Sequence, residues 1–234
     1  MTILTGQTAG AQSAEPAAVS PAQAALDAAR EAARAGDVEA AVAQLEELAA
    51  TGFTGVAVIT GDPDLSALAG NAGYDTLVAD MTKQAYPCEN DEAFAAFDFW
   101  VGSWDVHLPD GRLAGRNEIT REERGCLIIE NWDSASGGTG MSINFLDHAS
   151  GEWVQVWNDA SGNQIDIRGG MTDDGMALEG TIHYVATDTT LPFRGLWTPL
   201  PDGRVRQYFE QSNDGNDNWA PWFEGYYTRR TDGD

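Results

Sequence analysis

The chain has 234 residues, with 13 basic against 37 acidic side chains and a net charge of −24. Acid spread over the whole length repels phosphate backbones and anionic lipid, which excludes nucleic acid as a partner. No stretch approaches the roughly 18 apolar residues that a membrane-spanning helix needs, so no membrane insertion is expected.

Composition shifts sharply near residue 90. All eight Trp follow residue 99, whereas residues 1–90 are rich in Ala and poor in aromatics. Two differently built cores are therefore expected: a helical unit over 20–88 and a β-barrel over 92–230, preceded by a segment at 1–19. That segment has no periodicity and is rich in Ala, Ser, Gly, Gln and Pro, which predicts disorder. Within it, Thr8 to Pro16 resembles the surroundings of a signal-peptidase site but lacks the basic and apolar regions that precede one. A periplasmic or secreted location is favoured, with a cytoplasmic one as the alternative.

From 21 to 34 and from 38 to 50, Ala, Leu and Val recur at helical spacing. Gly36 reads as a stop and Asp37 as an N-cap, with Ser20 and Asp64 as further helix starts. The face made by Ala40, Ala41, Leu45 and Leu48 resembles one tetratricopeptide unit. Asp62-Pro63-Asp64-Leu65, Leu68 and Tyr74 to Met81 resemble the segment that ends such arrays. One repeat does not bury its own face, so the unit is expected to dock, on the barrel first and on a partner protein second.

Ten strand-like runs follow, at 103–108, 112–123, 126–134, 139–147, 152–159, 163–170, 176–186, 191–199, 204–212 and 218–230. Pro109-Asp110-Gly111, Ala149-Ser150-Gly151, Ser161-Gly162, Asp173-Asp174-Gly175 and Pro201-Asp202-Gly203 supply tight-turn chemistry between them. The pattern predicts an α+β chain, a small helical unit followed by a ten-stranded antiparallel up-and-down barrel. A barrel of that size leaves an interior that side chains only partly fill. Ser212 to Trp219 resembles a degenerate Asp-box hairpin. Its Asp and Asn groups could instead hold Ca²⁺, but EF-hand spacing is absent.

Cys88 and Cys126 are the two cysteines, and their spacing fits neither zinc nor redox motifs. A disulfide tying the linker to the barrel wall is expected, and would stabilise by roughly 3 to 4 kcal/mol. Two separate buried thiols are the alternative.

Gly102-Ser103-Trp104, following Phe97-Asp98-Phe99-Trp100, has the Gly-x-Trp form that opens calycin barrels. Gly125-Cys126, Glu130-Asn131-Trp132, Trp153 to Trp157, Trp197 to Leu200, Gly203 to Gln207 and Gly225 to Arg230 extend the likeness. Residues 92–230 thus resemble a bacterial family of lipocalin-like domains. The resemblance implies a calycin barrel whose base Trp104 closes by stacking with Arg229 or Arg230, and it implies no particular reaction. Nitrobindin-like relatives hold haem through a late histidine. His183 is the one roughly placed here and no matching motif surrounds it, so no cofactor is expected.

Alternation sets Trp153, Gln155 and Trp157 on one face, Glu130 and Trp132 on another, and Arg206, Tyr208 and Glu210 on a third. Strand 191–199 adds Arg194. Inside a barrel such charges pair with one another or with a ligand, because an isolated buried charge is costly. The expected pocket has Trp132, Trp157 and Trp197 as walls. Asn144, Gln155, Arg194 and Arg206 would orient a small, largely apolar molecule, with the arginines holding an acidic group. In the opposite phase the tryptophans pack under the helical unit. Two further readings stay open: an isomerase, cyclase or lyase with Glu130 or His183 as base, and a filled barrel acting through a protein partner.

Overall fold

The computed structural model describes residues 19–215 and 218–230. Apart from Val19, the segment expected to be disordered, with its peptidase-like stretch, lies outside the described residues, as do Asn216 and Asp217 of the Asp-box hairpin. The chain divides into two compact units between Ala85 and Tyr86.

In the first unit, α1 (Pro21–Ala35) and α2 (Val38–Ala50) form a helical hairpin. Ser20 caps α1 by accepting from the Gln23 N–H at 3.1 Å, and Asp37 caps α2 by accepting from the Ala40 N–H at 3.1 Å. Gly36 ends α1 at φ +78°, a conformation that favours glycine. A short α3 (Val56–Thr60), a 3₁₀ segment at Pro63–Leu68 and α4 (Ala72–Ala85) complete the unit. Asp62, rather than the expected Asp64, caps the 3₁₀ segment by accepting from the Asp64 N–H. Leu45 and Leu48 join one core with Ile59, Leu65, Leu68 and Met81. The hairpin face is thus buried by the segment that follows it, and no second repeat is needed.

The second unit is a closed barrel of ten antiparallel strands. These are β1 (Gly102–His107), β2 (Leu113–Glu122), β3 (Leu127–Ser134), β4 (Thr139–Asp147), β5 (Glu152–Asp159), β6 (Gln164–Thr172), β7 (Gly175–Tyr184), β8 (Thr189–Pro199), β9 (Val205–Ser212) and β10 (Trp219–Arg229). Each pairs with the next, and β1 pairs with β10 to close the wall, an architecture consistent with a calycin-like fold. The turns behave as their chemistry dictates. In both Pro-Asp-Gly-Arg turns the aspartate, Asp110 or Asp202, accepts from the backbone N–H and the guanidinium of the arginine two residues on.

Asp98–Trp100 is a 3₁₀ turn leading into β1, and Phe97 and Trp100 enter the barrel core. Phe97 stacks on Trp100 at 4.9 Å and meets Trp153 and Trp197 edge-on at 5.7 and 5.2 Å. These rings plug the end of the barrel where β1 begins. The approach to the plug is pinned by the Cys88–Cys126 disulfide and by an Arg121–Asp98 ion pair. Arg229 stacks over Trp104 at 4.4 Å and donates to the Val101 carbonyl, while the Trp104 indole donates to the Trp100 carbonyl. Arg229 is therefore the stacking partner at the base. Arg230 lies nearest Asp105 instead.

Candidate ligand cavity

Above the aromatic plug the barrel interior turns polar and then opens. Inward alternation brings Asn117, Glu130, Ser142, Asn144, Gln155, Gln207 and Tyr227 to one level, all buried. They form one hydrogen-bonded arc. Gln155 donates to Asn144 at 2.8 Å, Asn144 to the Ser142 hydroxyl at 2.8 Å, and Ser142 to Glu130 Oε2 at 2.7 Å. On the other side Asn117 donates to Glu130 Oε1 at 2.7 Å and to the Tyr227 hydroxyl at 3.2 Å, and Tyr227 donates to Gln207. Such a network keeps polar side chains stable inside an apolar wall, because each unmade bond would cost about 1–3 kcal/mol.

Glu130 is the anomaly in the arc. It is 5% exposed, and its hydrogen-bond partners are the neutral Asn117 and Ser142. Burial pushes its carboxyl pKa up, and the bonds from Ser142 and Asn117 only partly oppose this. Burial also raises the Tyr227 hydroxyl well above its ordinary range, and the nearby Glu130 charge adds to the rise.

Over this belt lies a cavity of about 380 Å³, opening at the end of the β1–β2 and β3–β4 turns. Its walls are Trp132, Trp157, Phe209, Phe223 and Trp222, with Glu130, Gln155, Gln207 and Tyr227 beneath. The space exists because small residues seat large ones. A Cβ on Gly140 would lie 2.4 Å from the Trp157 indole, and one on Gly115 would lie 2.6 Å from that of Trp132. Each indole is therefore laid flat against the neighbouring strand. A register shift at Pro221/Phe223 turns two consecutive residues, Trp222 and Phe223, onto the cavity, which simple alternation forbids. Trp222 remains 41% exposed at the mouth and donates its indole N–H to Tyr184.

Of the residues expected in the pocket, Trp132, Gln155 and Trp157 line it. Asn144 sits one step behind, supporting Gln155 and Ser142, and Trp197 is fully buried in the plug. Arg194 and Arg206 do not enter the barrel. Phe193, Gly195 and Trp197 take the inner face of β8, and Val205, Gln207 and Phe209 that of β9, so both arginines point outward. There they pair with Glu210 and Glu224, each at 2.7 Å, and stack on Trp219 and Tyr208. The expected anchor for an acidic ligand group is therefore absent from the cavity. His183 is also on the outer face, between inward Ile182 and Tyr184, with Nδ1 2.8 Å from the Thr190 hydroxyl, and it faces no enclosed substrate.

Sequence reasoning missed Phe209, Gln207, Tyr227, Trp222 and Phe223. The first two were findable, because Arg206, Tyr208 and Glu210 make the more polar face of their strand and such a face ordinarily turns to water. No known protein family matches the chain, and no curated protein matches it. The cavity's own chemistry carries the functional reading.

Proposed function

We propose that the protein binds a small, largely apolar molecule inside a lipocalin-like barrel. The observation that carries this reading is the cavity of about 380 Å³, aromatic at its walls and polar at its floor, which matches the composition of small-ligand sites. An open cavity also weighs against a barrel packed solid and acting only through a partner. Glu130 on the cavity floor is the remaining candidate for acid–base work on an enclosed molecule, since His183 faces outward. The Cys88–Cys126 bridge supports residence in an oxidising compartment such as a periplasm.

The test is native mass spectrometry of protein purified from its own host, followed by denaturation and identification of what is released. A stoichiometric small molecule is expected. Protein that arrives empty and fails to enhance a lipophilic fluorescent probe would overturn the reading.

A further inference from the structure

We infer that the ligand is an organic cation, a small aromatic or alkyl ammonium whose charged nitrogen rests against Glu130 between the indoles of Trp132 and Trp157. The inference rests on the container reading above and adds the chemical class of the cargo.

Among the described residues, Glu130 and Arg112 are the only charged side chains on the cavity wall. Arg112 is at the mouth, its side chain 75% exposed and already paired with Asp110 at 2.7 Å. Glu130 is on the floor without a cation of its own. Its two oxygens accept one hydrogen bond each, from Ser142 and Asn117, so half of the carboxylate's acceptor capacity is unused. A buried carboxylate in that state is costly unless it is neutralised or paired, and an ammonium entering from the cavity would pair it.

The walls suit the same charge. Glu130, Ser142 and Trp157 follow one another across β3, β4 and β5 in register, and Trp132 is the next inward residue along β3. Trp157 lies over Gly140, the register partner of Trp132, so both indoles stand on the mouth side of the carboxylate and line the space above it. Phe209, Phe223 and Tyr227 present further π surface around the same space. Aromatic faces attract a cation and repel an anion. Gln155 commits its amide N–H to Asn144, and its carbonyl oxygen has no donor among the described residues, leaving a second acceptor for an N–H of the ligand. An acidic ligand would instead meet Glu130 as a like charge in a low-dielectric site. The chain's net charge of −24 acts in the same direction, raising the local concentration of cations.

The experiment is calorimetry on the full chain at pH 7.5 with three probes on one ring system: 1-naphthylmethylammonium, 1-naphthalenemethanol and 1-naphthoate. The ammonium is expected to bind about 10- to 100-fold tighter than the alcohol, with the carboxylate weakest. Glu130→Gln is expected to shrink the ammonium's advantage to within about threefold, the desolvated charge pair being its main source. An alcohol or carboxylate that binds as tightly as the ammonium overturns the inference and leaves the container reading standing. So does an advantage that persists in Glu130→Gln. Failure of all three probes to bind overturns both readings. Should Glu130→Gln fail to fold, the wild-type ranking decides alone, and Trp157→Leu, which keeps the carboxylate, is expected to weaken the ammonium more than the alcohol.

Discussion

The indole of Trp157 lies so close to Gly140 that a Cβ there would stand 2.4 Å from its Cζ2. One strand's missing side chain sets the orientation of the next strand's largest one. Gly140→Ala is therefore expected to push the indole into the cavity or strain the wall, at a cost of about 1–3 kcal/mol. Thermal denaturation and a shifted tryptophan emission spectrum would show it. Gly170→Ala is the control, since a Cβ there meets nothing within 4 Å, and it should leave the spectrum unchanged.

The buried carboxyl makes a prediction about pH. Glu130 takes up a proton more readily in the folded chain than in the unfolded one, because burial raises its pKa. Its folded form is therefore favoured at low pH, and that stability is lost as pH rises through the folded pKa. Glu130→Gln should raise stability by about 1–3 kcal/mol above neutral pH. The gain should shrink on acidification toward the ordinary carboxyl range. Urea melts at pH 8 and pH 5 would test the sign, and a gain that grows on acidification would contradict it.

At the base of the barrel the two neighbouring arginines should behave differently. Arg229 stacks on Trp104 at 4.4 Å and donates to the Val101 carbonyl, whereas Arg230 approaches Asp105 only at 3.9 Å. Arg229→Ala is expected to cost about 1–2 kcal/mol. Arg230→Ala should stay within about 0.5 kcal/mol, as surface ion pairs do. Chemical denaturation of the two variants distinguishes them.

Reduction of the disulfide releases the segment that carries the aromatic plug. Cys88 and Cys126 are 38 residues apart, a loop whose closure is worth about 4 kcal/mol in chain entropy. The Cys88→Ser, Cys126→Ser double variant should be less stable by about that amount in chemical denaturation and melt at a lower temperature. A melting temperature unchanged by a thiol reductant would show that the Phe97–Trp100 packing holds the plug by itself.

Outside the barrel, Arg194 and Arg206 serve the wall and not the cargo. Arg194→Gln should leave the affinity for any cavity ligand within about twofold, since it pairs with Glu210 on the opposite face of the sheet. Titration of the variant beside the wild type with 1-naphthylmethylammonium measures this directly.

Much of the architecture was legible because it is specified locally. Each turn carries its own chemistry, as the twin turns at Asp110 and Asp202 show, and the runs between them alternate with period two. The ten strands and the Ser20 and Asp37 caps follow from such short-range signals, whereas the stacking of Trp104 under a late arginine was legible only through the resemblance to calycin barrels. Trp132, Gln155 and Trp157 were also legible as one-faced groups on their strands.

What only the tertiary structure decided is non-local. Arg194 and Arg206 alternate as regularly as the cavity residues do. For Arg206 the polarity of its strand face already pointed outward, whereas for Arg194 only barrel closure, with Phe193 and Trp197 facing inward, decides it. The register shift at Pro221/Phe223 brings Trp222 and Phe223 to the same wall, against the period of the strand. Above all, no arginine pairs with Glu130 among the described residues, because the strands on either side of β3 bring it the neutral Asn117 and Ser142 instead. A strand's alternation specifies which residues share a face. Its partners in space specify which face is inside and which charges meet there, and those partners lie far away along the chain.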